Sequence, residues 1–409
     1  MSMALVCSRV SAMTLQVQVL YNGTPAPSSM ALRGDGLGLN WNKGLTMSKS
    51  STTQFMWTLD LSFNASHVGS LLQMKPLVGD SSWSIGANMQ VVVPRGSASV
   101  ALYPWFRSKS GRYSVVGSVY SPQLNNTRPI VVYTPPSYLE NTLKVQRNVL
   151  VMQDGQNLFN ASTAFGGMPW NCGSTIDQLV VQGAIDELLV IGVYNTPDRL
   201  DEYTYSYDPC YDTVRGKCVG GGGKGDLYLD YVIETVVPWT AQRFRIESAR
   251  PNLGIMGSSL GALISIIDRL MQVGRGHPCS ARLAACRARS GGTTRTSTTS
   301  SSRTTRRRQR ARSSTSTRAT AAPRPRATTA SYEAVPPCHT RSLTDSLPYD
   351  QQQTLRVVGH LEELGYTLGK NLFHYLDQGG QHNEYYWGRR FHIPMTDLYP
   401  PSPLPTTPQ

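Results

Sequence analysis

Gly257-Ser258-Ser259-Leu260-Gly261 lies between a short apolar run, Leu253 to Met256, and a helix-like run, Ala262 to Met271. A strand that turns sharply into a helix has a particular use for this spacing. A serine at the turn stands clear of both elements, with its hydroxyl exposed. The positions two residues either side favour glycine, which accepts φ > 0 and lets neighbouring backbone pass closely. The new helix also aims its first N–H groups, that of Leu260 among them, at the place where an oxyanion would develop. Glycine–serine turns are common in any chain, so the flanking strand and helix carry the reading of Ser259 as a nucleophile.

A histidine base is needed later in the chain, because α/β-hydrolases run in the order Ser, acid, His. Of the seven histidines, His382 has the right setting: Phe373-His374-Tyr375-Leu376-Asp377 reads as an apolar strand, Gly379-Gly380 as a loop, and the imidazole follows. His374 falls within the strand pattern and reads as a packed residue, and His360 reads as a helix-surface residue. His339 and His392 have no such context.

Alternation sets the fold class. Short β-branched runs at Ile130–Tyr133, Val149–Met152, Leu188–Val193 and Leu253–Met256 are separated by helical or loop segments. Continuous apolar strands of this kind belong to a parallel sheet buried on both faces. Asp226 to Phe244 reads as mainly helical with a break or kink at Pro238. Asp350 to Leu364 reads as another helix, with Leu355, Val358, Leu361 and Leu364 on one stripe. The expected architecture is α/β: a mostly parallel sheet of the α/β-hydrolase type with flanking helices, preceded by a small all-β sandwich.

Four motifs in order resemble the Putative esterase family of the α/β-hydrolase fold, which includes esterase D-like, enterochelin-esterase-like and feruloyl or acetyl carbohydrate esterases. They are Arg128-Pro129-Ile130-Val131-Val132-Tyr133-Thr134-Pro135-Pro136, Met152-Gln153-Asp154-Gly155-Gln156-Asn157-Leu158-Phe159, the Ser259 turn, and Gly379-Gly380-Gln381-His382-Asn383-Glu384. The resemblance implies Ser259 as nucleophile and His382 as base, with a second oxyanion N–H from Gly155 or Gln156 beside that of Leu260. On residues alone, Asp154-Gly155 is equally a tight turn. Arg199, Glu202 and Tyr203 follow another strand, where such folds place substrate contacts; a solvated polar loop is the alternative. No metal or organic cofactor is implied.

The formal charge of +13 on 409 residues would ordinarily point to nucleic acid or a membrane surface. Its location changes that inference. Arg282 to Thr329 holds 13 arginines and no Lys, Asp or Glu, and the rest of the chain carries 26 basic and 26 acidic residues. The segment is almost wholly Ser, Thr, Arg, Ala and Pro, which cannot bury a core. It stands where the resembling family carries further strands and the triad acid. A single shift of reading frame lets Ser290 to Thr299 be read as FWWNDEDFNN and Ser314 to Pro323 as FYLDSGDGGP, the second a strand ending in an acidic glycine-rich loop. The segment is therefore read as out-of-frame translation. As written, the positions facing the family's acid are near Thr317 and Thr320, and Asp345, Asp350 and Asp377 have no clear claim to the role.

From Thr14 to Phe106, strand-like runs (Leu15–Leu20, Gln54–Leu61, Met89–Val93, Ser99–Tyr103) alternate with Gly/Ser/Asn turns. Leu32-Arg33-Gly34-Asp35-Gly36 through Trp41, then Met74-Lys75-Pro76, then Trp83 through Asn88, is similar to starch-binding carbohydrate-binding modules. That resemblance implies a sugar site at Trp83, Lys75 and Asn88, with Trp41 near or beneath it; tryptophans of a small sandwich are as readily core.

The divisions are an N-terminal segment 1–13, the β-sandwich 14–107, a linker 108–127, a first hydrolase part 128–281, the arginine-rich insert 282–348, a C-terminal hydrolase part 349–395 and a disordered Pro-rich tail 396–409. Seven cysteines offer no metal spacing or disulfide framework, although Cys210 and Cys218 could pair across one loop. No apolar run approaches a membrane span. The weak N-terminal apolar stretch favours a soluble, cytoplasmic chain over a secreted one. The reading is a serine carboxylic-ester hydrolase acting on acylated carbohydrate, with an ester substrate and a starch-like glycan as partners. The alternatives are a non-catalytic carbohydrate-binding protein derived from an esterase and, last, non-specific nucleic-acid binding through the insert.

Overall fold

The structure is a computed structural model that describes residues 12–214, 217–248, 253–266, 282–286 and 349–409. Its main sheet runs Arg112–Ser121, Asn126–Thr134, Leu188–Val193, Asn148–Gln153, Leu253–Ser258, Arg282–Cys286 in spatial order. The first two strands form a hairpin, and the second is antiparallel to Leu188–Val193. The remaining pairs are parallel. Side chains of successive strand residues point to opposite faces, and both faces are covered. Val149, Val151, Leu189, Ile191 and Ile255 pack with Tyr228, Tyr231, Val236 and Ile264 on one side. Leu150, Met152, Leu188, Val190 and Met256 pack with Ile176, Val180, Trp387 and Phe391 on the other. This two-sided burial is why these strands read as unbroken apolar runs. The fold is of the α/β-hydrolase type.

Several expected boundaries move. The supposed linker contains the ten-residue edge strand Arg112–Ser121. Much of it is exposed, so its sequence mixes Arg, Ser and Tyr with Val and gives no apolar run. The insert was expected to start at residue 282, yet Arg282–Cys286 adds a strand to the sheet. Residues 287–348, which include Thr317, Thr320 and Asp345, lie outside the described residues. The helix Tyr349–Glu363 forms where expected.

Phe373 to Asp377 is not a strand of any sheet among the described residues, and His374 is exposed rather than packed. Gly225 to Ala241 stays helical through Pro238, with a π-helical turn over Tyr231–Val236. Widening the turn just before a proline absorbs the backbone it cannot bond, so no break is needed.

Residues 13–102 contribute two further sheets whose inner faces share one core of Leu15, Val17, Val19, Leu32, Trp57, Leu72, Met74 and Val100. One sheet pairs Met13–Leu20 with Met56–Phe63 and Ala98–Leu102. The other is built on Leu71–Val78, flanked by Met30–Gly34 and Met89–Val92. The tail is not loose. Thr407 and Pro408 pair with Ser99 and Ala98, Leu404 N–H donates to Gln90 O at 2.7 Å, and Ser402 bonds Asp186. Proline favours the extended backbone that a sheet edge accepts, so a Pro-rich tail can dock there.

Candidate active site

Ser259 sits at φ +54 at the end of Leu253–Ser258, and residues 260–266 are helical behind it. Neighbouring atoms leave no room for a Cβ at Gly257 and little at Gly261. A Cβ on Gly257 would lie 2.5 Å from Gly261 C and O, and one on Gly261 would lie 3.0 Å from Gln153 Cβ. A non-glycine residue in the left-handed region costs on the order of 1–3 kcal/mol, so the surrounding packing must hold Ser259 there. The motif thus forms the strained turn its spacing predicts.

His382 Nε2 lies 2.9 Å from Ser259 Oγ. The imidazole is exposed and stands edge-on to Trp387, 4.9 Å between ring centres at 80°. Trp387 is buried against Trp170. Asn383, the next residue, caps the helix Glu384–Arg389 by accepting from Tyr386 N–H at 3.3 Å. The cap and the tryptophan wedge fix the loop that carries His382. Asp377 is committed elsewhere, to ion pairs with Arg389 and Arg390 that hold its carboxyl below the usual range against a smaller opposing effect of burial.

Asn148–Gln153 runs parallel beside the elbow strand, Met152 opposite Met256, so residues 154–157 leave the sheet next to Ser259. Asp154 takes φ +56, and Gly155 is pressed against Gly192, where a Cβ would meet backbone at 2.6 Å. Gly155 and Gln156 thus lie on the arm that leaves this strand, packed towards Gly192 and Asn195. Asp154 and Asn157 are further parts of this site that motif reading left unassigned. Asn157 is buried, donates to Glu384 Oε1 at 3.1 Å and accepts from Phe165 N–H at 2.9 Å. It therefore ties the arm to the helix after the base. Burial pushes the Glu384 carboxyl up, helped by the negative charge of Asp154. The invitation to find them was the Asp-Gly turn and the His-Asn-Glu run; their pairing spans 227 residues and no local pattern encodes it.

The three residues expected to touch substrate separate. Glu202 is fully buried and takes both forks of Arg128, at 2.8 and 2.7 Å, plus Asn126 and Thr196. Tyr203 is fully buried, and its hydroxyl accepts from Asp154 N–H at 3.3 Å. Both are corrected to structural roles: a loop position after a strand does not reveal that the side chain turns inward. Arg199 is partly exposed and pairs with Asp154.

In the N-terminal sheets, Trp83 is 40% exposed, with its ring centre 6.3 Å from that of Trp41 and tilted by 31°. Arg33 lies over Trp83 at 5.1 Å and pairs with Asp80. Lys75 stands opposite Arg33 in the strand register, and its ammonium donates to Gly86 O at 2.6 Å. Asn88 donates to Gln73 at 3.2 Å. Cys210 and Cys218 form a disulfide across the hairpin of Tyr207–Val214 and Lys217–Gly222. Among the described residues no group of His, Cys, Asp or Glu is placed to hold a metal ion, and no helix is long and apolar enough to cross a membrane.

Ser259 and His382 thus meet at the end of a strand of an α/β-hydrolase-type sheet. Residues 121–274 match the sequence model of the family described as Putative esterase, the same segment in which the first three motifs fall. A curated relative, the uncharacterized protein YbbA of Bacillus subtilis, is 28% identical over 150 residues, covering 37% of this chain and 53% of that protein. The chain thus spans about half the length of that relative. Among solved structures, an IroE-like serine hydrolase from Shewanella oneidensis is 19% identical over 40% of this chain and 46% of its own, with TM-score 0.30. The enterobactin esterase FES from Shigella flexneri is 10% identical over 65% and 69% of the two chains, with TM-score 0.28.

Proposed function

We propose that the protein hydrolyses carboxylic esters with Ser259 as nucleophile and His382 as base, acting on acylated carbohydrate. The observation that carries this reading is the 2.9 Å contact between Ser259 Oγ and His382 Nε2 on a left-handed elbow. Ser259 Oγ attacks the acyl carbonyl as His382 takes its proton, and the carbonyl π electrons move to oxygen. The N–H groups of Leu260 and of Gly155 or Gln156 face the developing oxyanion. Collapse expels the alcohol, protonated by His382, and leaves an acyl-serine that water clears by the same steps. The exposed Trp83 beside Trp41 supports a sugar platform, since stacking on a pyranose face needs an open indole.

A panel of p-nitrophenyl and acetyl- or feruloyl-saccharide esters tests the activity, with Ser259→Ala as control. Turnover unaltered by that substitution removes Ser259 from the mechanism. The second reading, a carbohydrate-binding protein without turnover, rests on the same open Trp83. It predicts retention on insoluble starch that Trp83→Ala abolishes, and undiminished retention of the variant defeats it.

A further inference from the structure

Asp154 is an awkward neighbour for an ester hydrolase. It directly precedes the arm that offers Gly155 and Gln156 to the oxyanion, and its Oδ2 lies 3.3 Å from where a Cβ on Gly261 would stand. A carboxylate at that spot opposes negative charge developing on the substrate oxygen. Glu384 is buried nearby and adds a second acidic group. One cation answers them. Arg199 Nε donates to Asp154 Oδ1 and Nη2 to Oδ2, both at 2.7 Å, a planar two-bond fork.

The remaining bonds make Asp154 an anchor. Asn195 Nδ2 donates to Asp154 Oδ1 at 2.8 Å, and Asn195 N–H donates to Gln156 Oε1 at 3.2 Å. The Asp154 N–H is taken by Tyr203, over whose ring the Arg199 guanidinium lies at 4.9 Å. Arg199 therefore sits on a rigid shelf, and its fork stabilises a residue whose φ of +56 is uncommon for aspartate.

We propose that Arg199 is a positioning residue: its fork neutralises Asp154 and fixes the turn that aims the Gly155 and Gln156 amides, without touching substrate. The proposal rests on the esterase reading and replaces the expectation that Arg199 binds substrate. A donor set misplaced by about 1 Å loses on the order of a hundredfold in rate, and the effect falls on the transition state rather than on substrate affinity.

The test measures kcat and KM on a p-nitrophenyl ester, the rate of Ser259 phosphonylation by a fluorophosphonate probe, and thermal melting. It compares wild type with Arg199→Gln, Arg199→Lys, Asp154→Asn and the Asp154→Asn/Arg199→Gln double variant. Arg199→Gln should lower kcat and the labelling rate by about ten- to a hundredfold with KM within about twofold. Arg199→Lys, which keeps the charge and loses the fork, should fall between. The double variant should label faster than Arg199→Gln alone, because the uncompensated anion is gone. A raised KM with kcat intact would show Arg199 on the substrate and overturn the proposal. A double variant no faster than Arg199→Gln, with losses that follow the melting temperature, would reduce Arg199 to a structural role and overturn it too. Wild type that shows no Ser259-dependent labelling would overturn the esterase reading itself, and this proposal with it. Labelling that Arg199→Gln leaves unchanged would sink only this proposal.

Discussion

At Ser259 and its two glycines, close packing and backbone strain go together. The serine is held at φ +54 because Gly257 and Gly261 let backbone and the Gln153 stem close around the turn. Gly257→Ala places a methyl against backbone that cannot yield cheaply, an overpacking cost of about 1–3 kcal/mol. Melting should drop, and ester turnover should fall at least about tenfold as the elbow reshapes; a variant that keeps wild-type turnover would show that the elbow tolerates a Cβ. Glu202 makes the opposite point. Its neighbour Arg128 is wholly buried, so Glu202→Gln strands a guanidinium in the core and should cost about 3–5 kcal/mol. The measurement is chemical unfolding beside Michaelis kinetics: stability should fall while KM of the surviving folded fraction stays put. An elevated KM with full stability would restore Glu202 to the substrate.

Short elements can carry as much as long ones. The four-residue helix Ser137–Glu140 ends in a carboxylate that accepts from the N–H groups of Phe106, Arg107 and Ser108 at 2.7, 3.0 and 2.8 Å and from the Tyr21 hydroxyl at 2.9 Å. Burial alone would raise the Glu140 carboxyl, but these donors outweigh it and its pKa lies below the ordinary 4.5. The same contact, together with burial as the larger cause, pushes Tyr21 up to about 12. A depressed folded-state pKa adds stability above the unfolded value and loses it as pH falls through the folded one. Wild type should therefore exceed Glu140→Gln by about 1–3 kcal/mol at neutral pH, and the gap should narrow below about pH 4.5. Urea unfolding at a series of pH values reads this directly, and a gap that widens in acid would refute it. The central parallel strands were legible because two-sided burial writes an unbroken apolar run. The edge strand Arg112–Ser121 was not, because one wet face dilutes the pattern. The docking of the tail was invisible for another reason: its partners, Gln90 and Ser99, lie some three hundred residues earlier, and no local rule links them.

Across the whole molecule, the apolar segment before the base is the part most at odds with a finished fold. Phe373, Tyr375 and Leu376 are 45%, 58% and 39% exposed in a stretch without regular structure whose sequence reads as a strand. Its composition asks for a sheet neighbour, and none of the described strands supplies one. A separate stretch of sequence, Arg282 to Thr329, contributes 13 arginines and thereby the whole of the +13 formal charge. A shift of frame there would remove the arginines and restore strand-like and acidic residues of the kind that pair with Phe373–Leu376 and orient His382. The local motifs marked Ser259 and His382, which the structure brings within 2.9 Å, whereas a triad acid would need the intact intervening chain. The decisive comparison is between the chain as written and one with the frame restored after Cys286 and through Thr329, each assayed for ester turnover with its Ser259→Ala control. Loss of the triad carboxylate costs about 10⁴ in kcat where it has been isolated, so the restored chain should be faster by several orders of magnitude. It should also shield Phe373 and Tyr375 from chymotrypsin, since a paired strand resists cleavage. A transcript that reads continuously in frame through the arginine-rich stretch, or equal turnover by the two chains, would refute the frameshift account.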